Sequence, residues 1–296
     1  MKKDYLEFRK IYTHLSHLTD EEIKSHLENK NNFENRKSFQ SLYEYDFSCY
    51  KSKNNISNTL IIHAYYPQLI TNFESYICNA LICGANIIVN IPEHRNQDIN
   101  FIEKFFDRFM IPSQIKIIVS QNTGRDWGGL YKAFKNGSTG EIITFIHTKF
   151  SPHLHPVFGM LWRHRLISPI LGSTKIYSNN LNIISDNAAS LIASNACRIN
   201  SDNTNSNKDF KEFDSIFTKK LSIGNEDYPF IPGSMFMVKK EILNEIFDQI
   251  DLLPSNGLEE NYNKISLKNQ LDGKLPHYLE RLIFSYSCKA NGVDTI

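Results

Sequence analysis

Four short apolar runs, "TLIIHAYY" from Thr59, "NIIVNI" from Asn86, "QIKIIVS" from Gln114 and "EIITFI" from Glu141, are separated by three stretches of helical periodicity. "LITNFESYICNALICG" is expected to be a helix ended by Gly84. "INFIEKFFDRFM" places Ile102, Phe105, Phe106 and Phe109 on one helical face. After the third run, Asp126 is expected to cap a helix in which Trp127, Leu130, Tyr131 and Phe134 follow the i, i+3, i+4, i+7 rule, with Gly137 stopping it. A βαβαβαβ series of this kind predicts a doubly wound, mostly parallel α/β sheet flanked by helices. The fourth run is nearly all apolar, as a central strand covered on both faces should be.

The rest of the chain is less regular. Residues 1–57 read as a helical N-terminal appendage to a main domain of residues 58–296. Within the appendage, Thr19 and Glu22 have the spacing of a capping box. "PVFGMLWRHRLISPILG" predicts a helix broken at Pro169, and "AASLIASNA" a further strand. "NSDNTNSNKDFKEFDS" is a polar loop region, "PGSMFMVKKEILNEIFDQI" a strand leading into an amphipathic helix, and "LPHYLERLIFSYSCKANG" a last helix. No internal repeat is visible. The abrupt end at Ile296 suggests a longer natural chain.

Composition narrows the function classes. A formal charge of +1 provides no global basic field for nucleic acid. The apolar runs are far shorter than a membrane span, and "MKKDYLEFRK" lacks the apolar core of a signal peptide. Cys49, Cys78, Cys83, Cys197 and Cys288 form no CxxC pair, which suggests reduced thiols in the cytoplasm.

Ligands of open α/β sheets bind beyond the carboxyl ends of the strands. Three polar clusters fall there. The first is "NTGRDWGGL", where Arg125 suits a phosphate and Asp126 suits a base or ribose. The pair Gly128 and Gly129 opens a helix N-terminus, where an anion is favoured, unless it serves an unusual turn or relieves crowding by a neighbouring helix. The second is "HTKFSPH", with His147, Thr148, Lys149, Ser151 and His153; the lysine is a strong point charge for phosphate oxygens. The third is "PGSMF", with Gly233 and Ser234 before a strand. In "LWRHRL", Arg163 sits beside Trp162 and can turn to the same cleft. On the last helix, His277, Glu280 and Arg281 share a face opposite Leu279, Leu282, Ile283 and Tyr286. Glu280 is a candidate general base, with a first-turn dipole role as the alternative.

Taken in order, "NTGRDWGGL", "FIHTKFSPH", "LWRHRLISPILGS", "PGSMFMV" and "LPHYLERL" resemble the rhamnan synthesis protein F family over residues 58 to 292. The resemblance implies a bacterial glycosyltransferase of GT-A-like (Rossmann-like) fold that builds surface polysaccharide from nucleotide-activated sugars. Donors of the dTDP-rhamnose or UDP-galactofuranose class are expected. The acceptor would be a lipid-linked glycan, and the location the cytoplasm, peripherally at the inner face of the membrane. By the same resemblance Asn122, Gly124, Arg125, Asp126, His147, Thr148, Lys149 and Arg163 bind the donor. Ser151, His153, Trp162, Gly233, Ser234 and Arg281 line the acceptor cleft, and Glu280, His277 and Lys149 are catalytic. The glycines of the first cluster would admit the ligand.

This sequence departs from the GT-A pattern at one telling place. His147-Thr148-Lys149 stands where an Asp-x-Asp motif usually holds a divalent metal. Metal-independent transfer is therefore expected, with Lys149 neutralising the diphosphate and a divalent metal as the alternative. Phe150 and Ser234 also depart, standing where a basic residue and Thr are more usual. The rival function is a non-catalytic glycan- or nucleotide-binding module that lost its acidic pair.

Overall fold

The computed structural model of the chain describes residues 19, 21–22, 56–109, 114–149, 156–195, 199–200, 217, 229–251, 275–290 and 293–295. Most of the predicted appendage therefore lies outside the described residues, as do Phe150, Ser151, His153 and the polar loop region apart from Asn200. Its capping box is present. The Thr19 N–H donates to Glu22 Oε2 at 2.7 Å, and the Glu22 N–H donates to Thr19 Oγ1 at 3.3 Å.

The predicted series is observed as β1 (Asn58–His63), α1 (Glu74–Ile82), β2 (Asn86–Pro92), α2 (Ile99–Asp107), β3 (Ile115–Ser120), α3 (Arg125–Asn136) and β4 (Ile142–His147). The segment expected to begin one long helix at Leu69 instead starts as a 3-10 helix, Pro67–Phe73, before α1. Pro67 stands at its first position, where the ring's fixed φ is an advantage. After β4 come α4 (Pro156–Leu171), α5 (Thr174–Ser185), β5 (Leu191–Ala193), β6 (Ile199–Asn200), β7 (Pro229–Phe230), β8 (Phe236–Lys239), α6 (Lys240–Asp251), α7 (Leu275–Ala290) and β9 (Val293–Thr295).

Seven strands form one sheet in the order β3-β2-β1-β4-β8-β5-β9, and β6 pairs with β7 separately. Strands β1 to β4 are mutually parallel; β8 alone runs against both its neighbours, β4 and β5. Every residue of β1 and β4 is buried, so the centre of the sheet is covered on both faces. Ile102, Phe105 and Phe106 of α2 and Phe109 just after it join this core, as Trp127, Leu130 and Phe134 do from α3.

Two features position the site. The order reverses between β1 and β4, where a parallel sheet opens a crevice beyond its carboxyl ends. His63 and His147, the last residues of these strands, are register partners there. Because β8 is antiparallel to β4, with Phe145 opposite Phe236, the turn preceding β8 returns to that same edge.

Helix α4 is not broken at Pro169, contrary to the sequence expectation. A proline inside a helix removes one N–H and typically costs about 3 kcal/mol. The carbonyl it deprives belongs to Arg165, and Ser194 Oγ donates to that oxygen at 2.6 Å. Asn180 Nδ2 donates to the Pro169 and Ile170 carbonyls at 3.0 and 3.2 Å, holding the final turn.

Candidate active site

Helix α3 begins differently from the sequence expectation. Its N-cap is Gly124, in the left-handed region at φ 71°, and Asp126 makes no capping bond because it already lies inside the first turn. Arg125, also at positive φ (52°), completes the sharp turn out of β3. The released Asp126 carboxylate faces the sheet edge, with Oδ2 3.7 Å from His147 Nε2.

The two glycines that follow do not open space for a ligand. A Cβ at Gly128 would lie 1.7 Å from the Thr123 carbonyl oxygen, and one at Gly129 would lie 2.1 Å from His63 Nδ1. They let the helix start press against its own loop and against β1. That correction turns the Gly-Gly signal into a packing requirement, which brings Asp126 close to the strand ends.

Gly233 and Ser234 form the hub of the site. Gly233 has φ 122° and Ser234 φ 48°, so this dipeptide is held in backbone conformations that ordinary residues avoid. The Gly233 N–H donates to Glu280 Oε1 at 2.5 Å, and its carbonyl accepts from His147 Nε2 at 2.7 Å. Ser234 Oγ donates to the same Glu280 oxygen at 3.2 Å and accepts from Trp127 Nε1 at 3.1 Å. Glu280 on α7, His147 on β4 and Trp127 on α3 are thus tied to two consecutive residues.

The charges are set by these surroundings. Glu280 keeps part of its surface accessible, yet dense surrounding protein pushes its carboxyl up to about 7. The Gly233 N–H, Arg281 and Lys149 pull it down, while Asp126 adds to the rise. Burial alone would also raise Asp126, but His147, the Ser234 hydroxyl, Lys149 and His63 outweigh it and hold that carboxyl below its ordinary value. Burial lowers His147 to about 4, assisted by Lys149 and His63 and opposed by Asp126 and the Gly233 carbonyl. The contact with the Gly233 carbonyl requires a proton on Nε2, and the lowered value leaves the ring neutral as that tautomer. His147 is therefore an anchor for the turn, and Lys149 supplies the positive charge.

The remaining predicted residues fall around this hub. Thr148 is buried, and its hydroxyl accepts from the Tyr66 N–H at 2.8 Å. Arg163 is buried on α4, where Nη1 donates to the Lys149 carbonyl; burial lowers its pKa. It reaches the cluster through the Lys149 backbone. Trp162, one residue before it, has its Nε1 near Gly233, 3.5 Å from where a Cβ would stand. Asn122, in the loop before Gly124, has a buried Oδ1 with no hydrogen-bond partner among the described residues. His277 Nε2 lies 3.1 Å from Arg125 Nη1, and since arginine only donates, that imidazole is neutral. Arg281 is buried, donates to the His277 carbonyl at 3.0 Å and lies 4.2 Å over the Phe230 ring.

One polar row was not anticipated. His63 Nδ1 meets Asn90 Oδ1 at 2.8 Å, and Asn90 Nδ2 meets Ser120 Oγ at 2.8 Å and the Ile118 carbonyl at 3.4 Å. Because a carbonyl only accepts, the amide nitrogen must face Ile118, and His63 therefore carries its proton on Nδ1. The row crosses the carboxyl ends of β1, β2 and β3 and pins His63 beneath Gly129. The signal for it was a polar residue at or near the end of each of the first three apolar runs.

A divalent ion does not fit the end of β4. The Thr148 hydroxyl and His147 Nε2 are committed to protein partners, and Lys149 adds a cation. Among the described residues, no three His, Cys, Asp or Glu side chains converge as ligands. No described helix is long and apolar enough to cross a membrane.

Comparison with known proteins decides the family. Residues 10–292 match rhamnan synthesis protein F. The chain belongs to the rhamnan synthesis protein F family. The family match begins at residue 10, well before the motifs that carried the resemblance, and so takes in most of the N-terminal region. No curated protein matches the chain. Among solved structures, this family member is similar to S. aureus TarS 1-349 at 11% identity and TM-score 0.41, over 81% of this chain and 58% of that one. It is also similar to the mannosyltransferase PcManGT from Pyrobaculum calidifontis in complex with GDP-Man and Mn2+. That likeness has 10% identity and TM-score 0.36, over 70% of this chain and 54% of that one. The chain thus spans little more than half the length of either. Likenesses this distant leave the chemistry of the site to its own residues.

Proposed function

We propose that this member of the rhamnan synthesis protein F family is a glycosyltransferase. It moves a sugar from a nucleotide-diphosphate donor to a hydroxyl of a growing bacterial surface polysaccharide. The observation that carries the reading is Glu280. Its carboxylate is fixed by the Gly233 N–H and the Ser234 hydroxyl, at the carboxyl edge of a parallel sheet, with a pKa of about 7. A general base is most effective when its pKa lies near the working pH.

In this mechanism Glu280 takes the proton of the acceptor hydroxyl as that oxygen bonds to the sugar's anomeric carbon. The bond from that carbon to the donor phosphate breaks, and its electron pair leaves on the nucleoside diphosphate. Lys149 neutralises the developing charge, and Arg163 holds the Lys149 backbone in place. Asn122, Gly124, Arg125, Asp126, His147 and Thr148 belong to the donor side; Trp162, Gly233, Ser234 and Arg281 belong to the acceptor side. His277 fixes Arg125. A base acting directly on the acceptor implies inversion at the anomeric carbon. The donor is of the dTDP-rhamnose or UDP-galactofuranose class and the acceptor is a lipid-linked glycan, reached from the cytoplasmic face of the membrane. Transfer proceeds without a metal at the end of β4, since its donor set does not suit one.

The rival reading, a non-catalytic binding module, is favoured by the loss of an acidic pair at His147-Thr148-Lys149. Turnover with a panel of nucleotide sugars and a glycan acceptor, with and without EDTA, separates the two. Transfer that persists in EDTA supports the enzyme. Saturable donor binding without transfer by any donor and acceptor pair supports the module.

A further inference from the structure

Helix α4 is apolar on its outer side as well as its inner one. Leu166, Ile167 and Ile170 are buried, but Val157, Phe158, Met160 and Leu161 are exposed, Phe158 by 63% and Met160 by 50%. A helix apolar all round is normally enclosed by protein. Elsewhere among the described residues, only Ile176 at the start of α5, Phe101 and Val119 are large apolar side chains left exposed. The four on α4 fall within its first two turns. Exposed His164 and Arg165 follow one turn later, at i+4 from Met160 and Leu161. Lys175 is exposed beside Ile176. No Asp or Glu occurs between Glu141 and Asp186, although the chain of 296 residues has 32 of them. On α1, whose Tyr76 hydrogen-bonds His164, the one acid, Glu74, is already paired with Arg108 at 3.0 Å.

We propose that this outer face of α4, with the start of α5, seats the protein on an anionic lipid bilayer. The layout is that of a helix lying in the membrane interface, with apolar side chains on one side and cations at its border. Phe158, Met160 and Leu161 enter the acyl boundary, while Arg165 and Lys175 stay at the level of the phosphate headgroups. Charge decides between a membrane and a second copy of this chain. Two copies joined through this face would bring its cations together with no acid on either side to pair them. Anionic lipid supplies the missing charge. The same helix reaches the site from its inner side. Trp162 Nε1 lies 3.5 Å from where a Gly233 Cβ would stand, and Arg163 donates to the Lys149 carbonyl. The bilayer surface would thus lie one helix diameter, ~10 Å, from the acceptor side. A lipid-linked glycan need rise only that far to enter the site. This use of the surface rests on the proposed lipid-linked acceptor, but the binding itself is read without it.

The test is flotation of the full chain with lipid vesicles, in the absence of donor and acceptor. Vesicles of equal parts phosphatidylglycerol and phosphatidylcholine should carry the protein up the gradient. Phosphatidylcholine alone should carry much less, and added salt should weaken binding to the anionic vesicles. Phe158→Ser/Met160→Ser should weaken that binding by about tenfold or more. Arg165→Gln/Lys175→Gln should weaken it by a similar factor, and Phe101→Ser, on α2, should leave it unchanged. The surface is overturned if the parent chain does not float, if Phe158→Ser/Met160→Ser binds as the parent does, or if Phe101→Ser weakens binding equally. Concentration-dependent dimers that Phe158→Ser/Met160→Ser dissociates, with no vesicle binding, would assign the face to a second copy and overturn it too. If that variant does not fold, Arg165→Glu/Lys175→Glu decides: lost binding to anionic vesicles supports the surface, and undiminished binding ends it. Vesicle binding without sugar transfer from any donor supports the surface and counts against the enzyme reading alone. Transfer to a water-soluble glycan without vesicle binding does the reverse.

Discussion

Glu280 and His147 are held by opposite ends of one residue: the Gly233 N–H donates to the glutamate at 2.5 Å, and the Gly233 carbonyl accepts from the histidine at 2.7 Å. A last helix and a central strand, more than a hundred residues apart, are locked together through a single left-handed turn. The consequences are measurable in stability as well as in chemistry.

The raised carboxyl of Glu280 makes the fold sensitive to alkali at this one site. Folded Glu280 holds its proton up to about 7, whereas the ordinary value is 4.5. Between those limits the folded state binds more protons than the unfolded, so this contribution to stability is full below 4.5 and falls as pH rises through 7. Glu280→Gln, which keeps an acceptor for Gly233, should therefore be the more stable protein at pH 8, by up to about 2 to 3 kcal/mol. At pH 4.5 the advantage should vanish. Thermal or urea unfolding at the two pH values gives the comparison.

His147 behaves in the opposite sense. Its folded value of about 4 lies below the ordinary 6.5, so the folded state resists protonation. Its contribution is present above 6.5 and is lost as pH falls through 4. Replacing it with glutamine, an uncharged donor to the Gly233 carbonyl, should flatten the acid side of the stability profile. Unfolding midpoints of His147→Gln and the parent between pH 7 and 4 test the sign.

Gly128 and Gly129 should differ in how they tolerate alanine. The obstacle at Gly128 is the Thr123 backbone carbonyl, which cannot move aside; at Gly129 it is the His63 imidazole. Gly128→Ala should cost more than the ~1 to 3 kcal/mol typical of overpacking. Gly129→Ala should be partly rescued by His63→Ala, although that change also strands Asn90. Chemical denaturation of the single and double variants reads both effects.

Pro169 and Ser194 make a cleaner cycle. Ser194→Ala leaves the Arg165 carbonyl without its donor and should cost about 1 kcal/mol. In a Pro169→Ala background the restored N–H reaches that carbonyl, and the same substitution should cost less. Equal costs in both backgrounds would show that the serine does not replace the missing helical bond.

The alternation of short apolar runs made the β1 to β4 half of the sheet readable, because β1, β2 and β4 are buried along nearly their whole length, although the edge strand β3 is only partly so. What the pattern could not carry was direction. Strand β8 is only "FMVK", and nothing local says that it runs against β4, yet that reversal brings Gly233 and Ser234 to the site. Asp126 was misread for a related reason. Its side chain is a good cap by type, but Gly124 adopts the left-handed conformation first and takes the N-cap position. Lys149 and Glu280 could be singled out as candidates by residue type and position, with a first-turn dipole role as the alternative for Glu280, whereas the burial that raises the Glu280 carboxyl and lowers His147 comes from distant segments. The row of His63, Asn90 and Ser120 was present as polar interruptions of apolar runs, but their hydrogen bonding depends on strand register.

The most direct measurement is turnover of the full chain and of Glu280→Gln with a panel of nucleotide sugars, paired with donor binding by thermal shift. One donor should stabilise both proteins to a similar degree. Transfer by the parent should rise with pH through about 7, as Glu280 loses its proton. Glu280→Gln should lose transfer by roughly 10²- to 10⁴-fold while still binding that donor. Undiminished transfer by Glu280→Gln would contradict Glu280 as the base, and with it the central claim about this site.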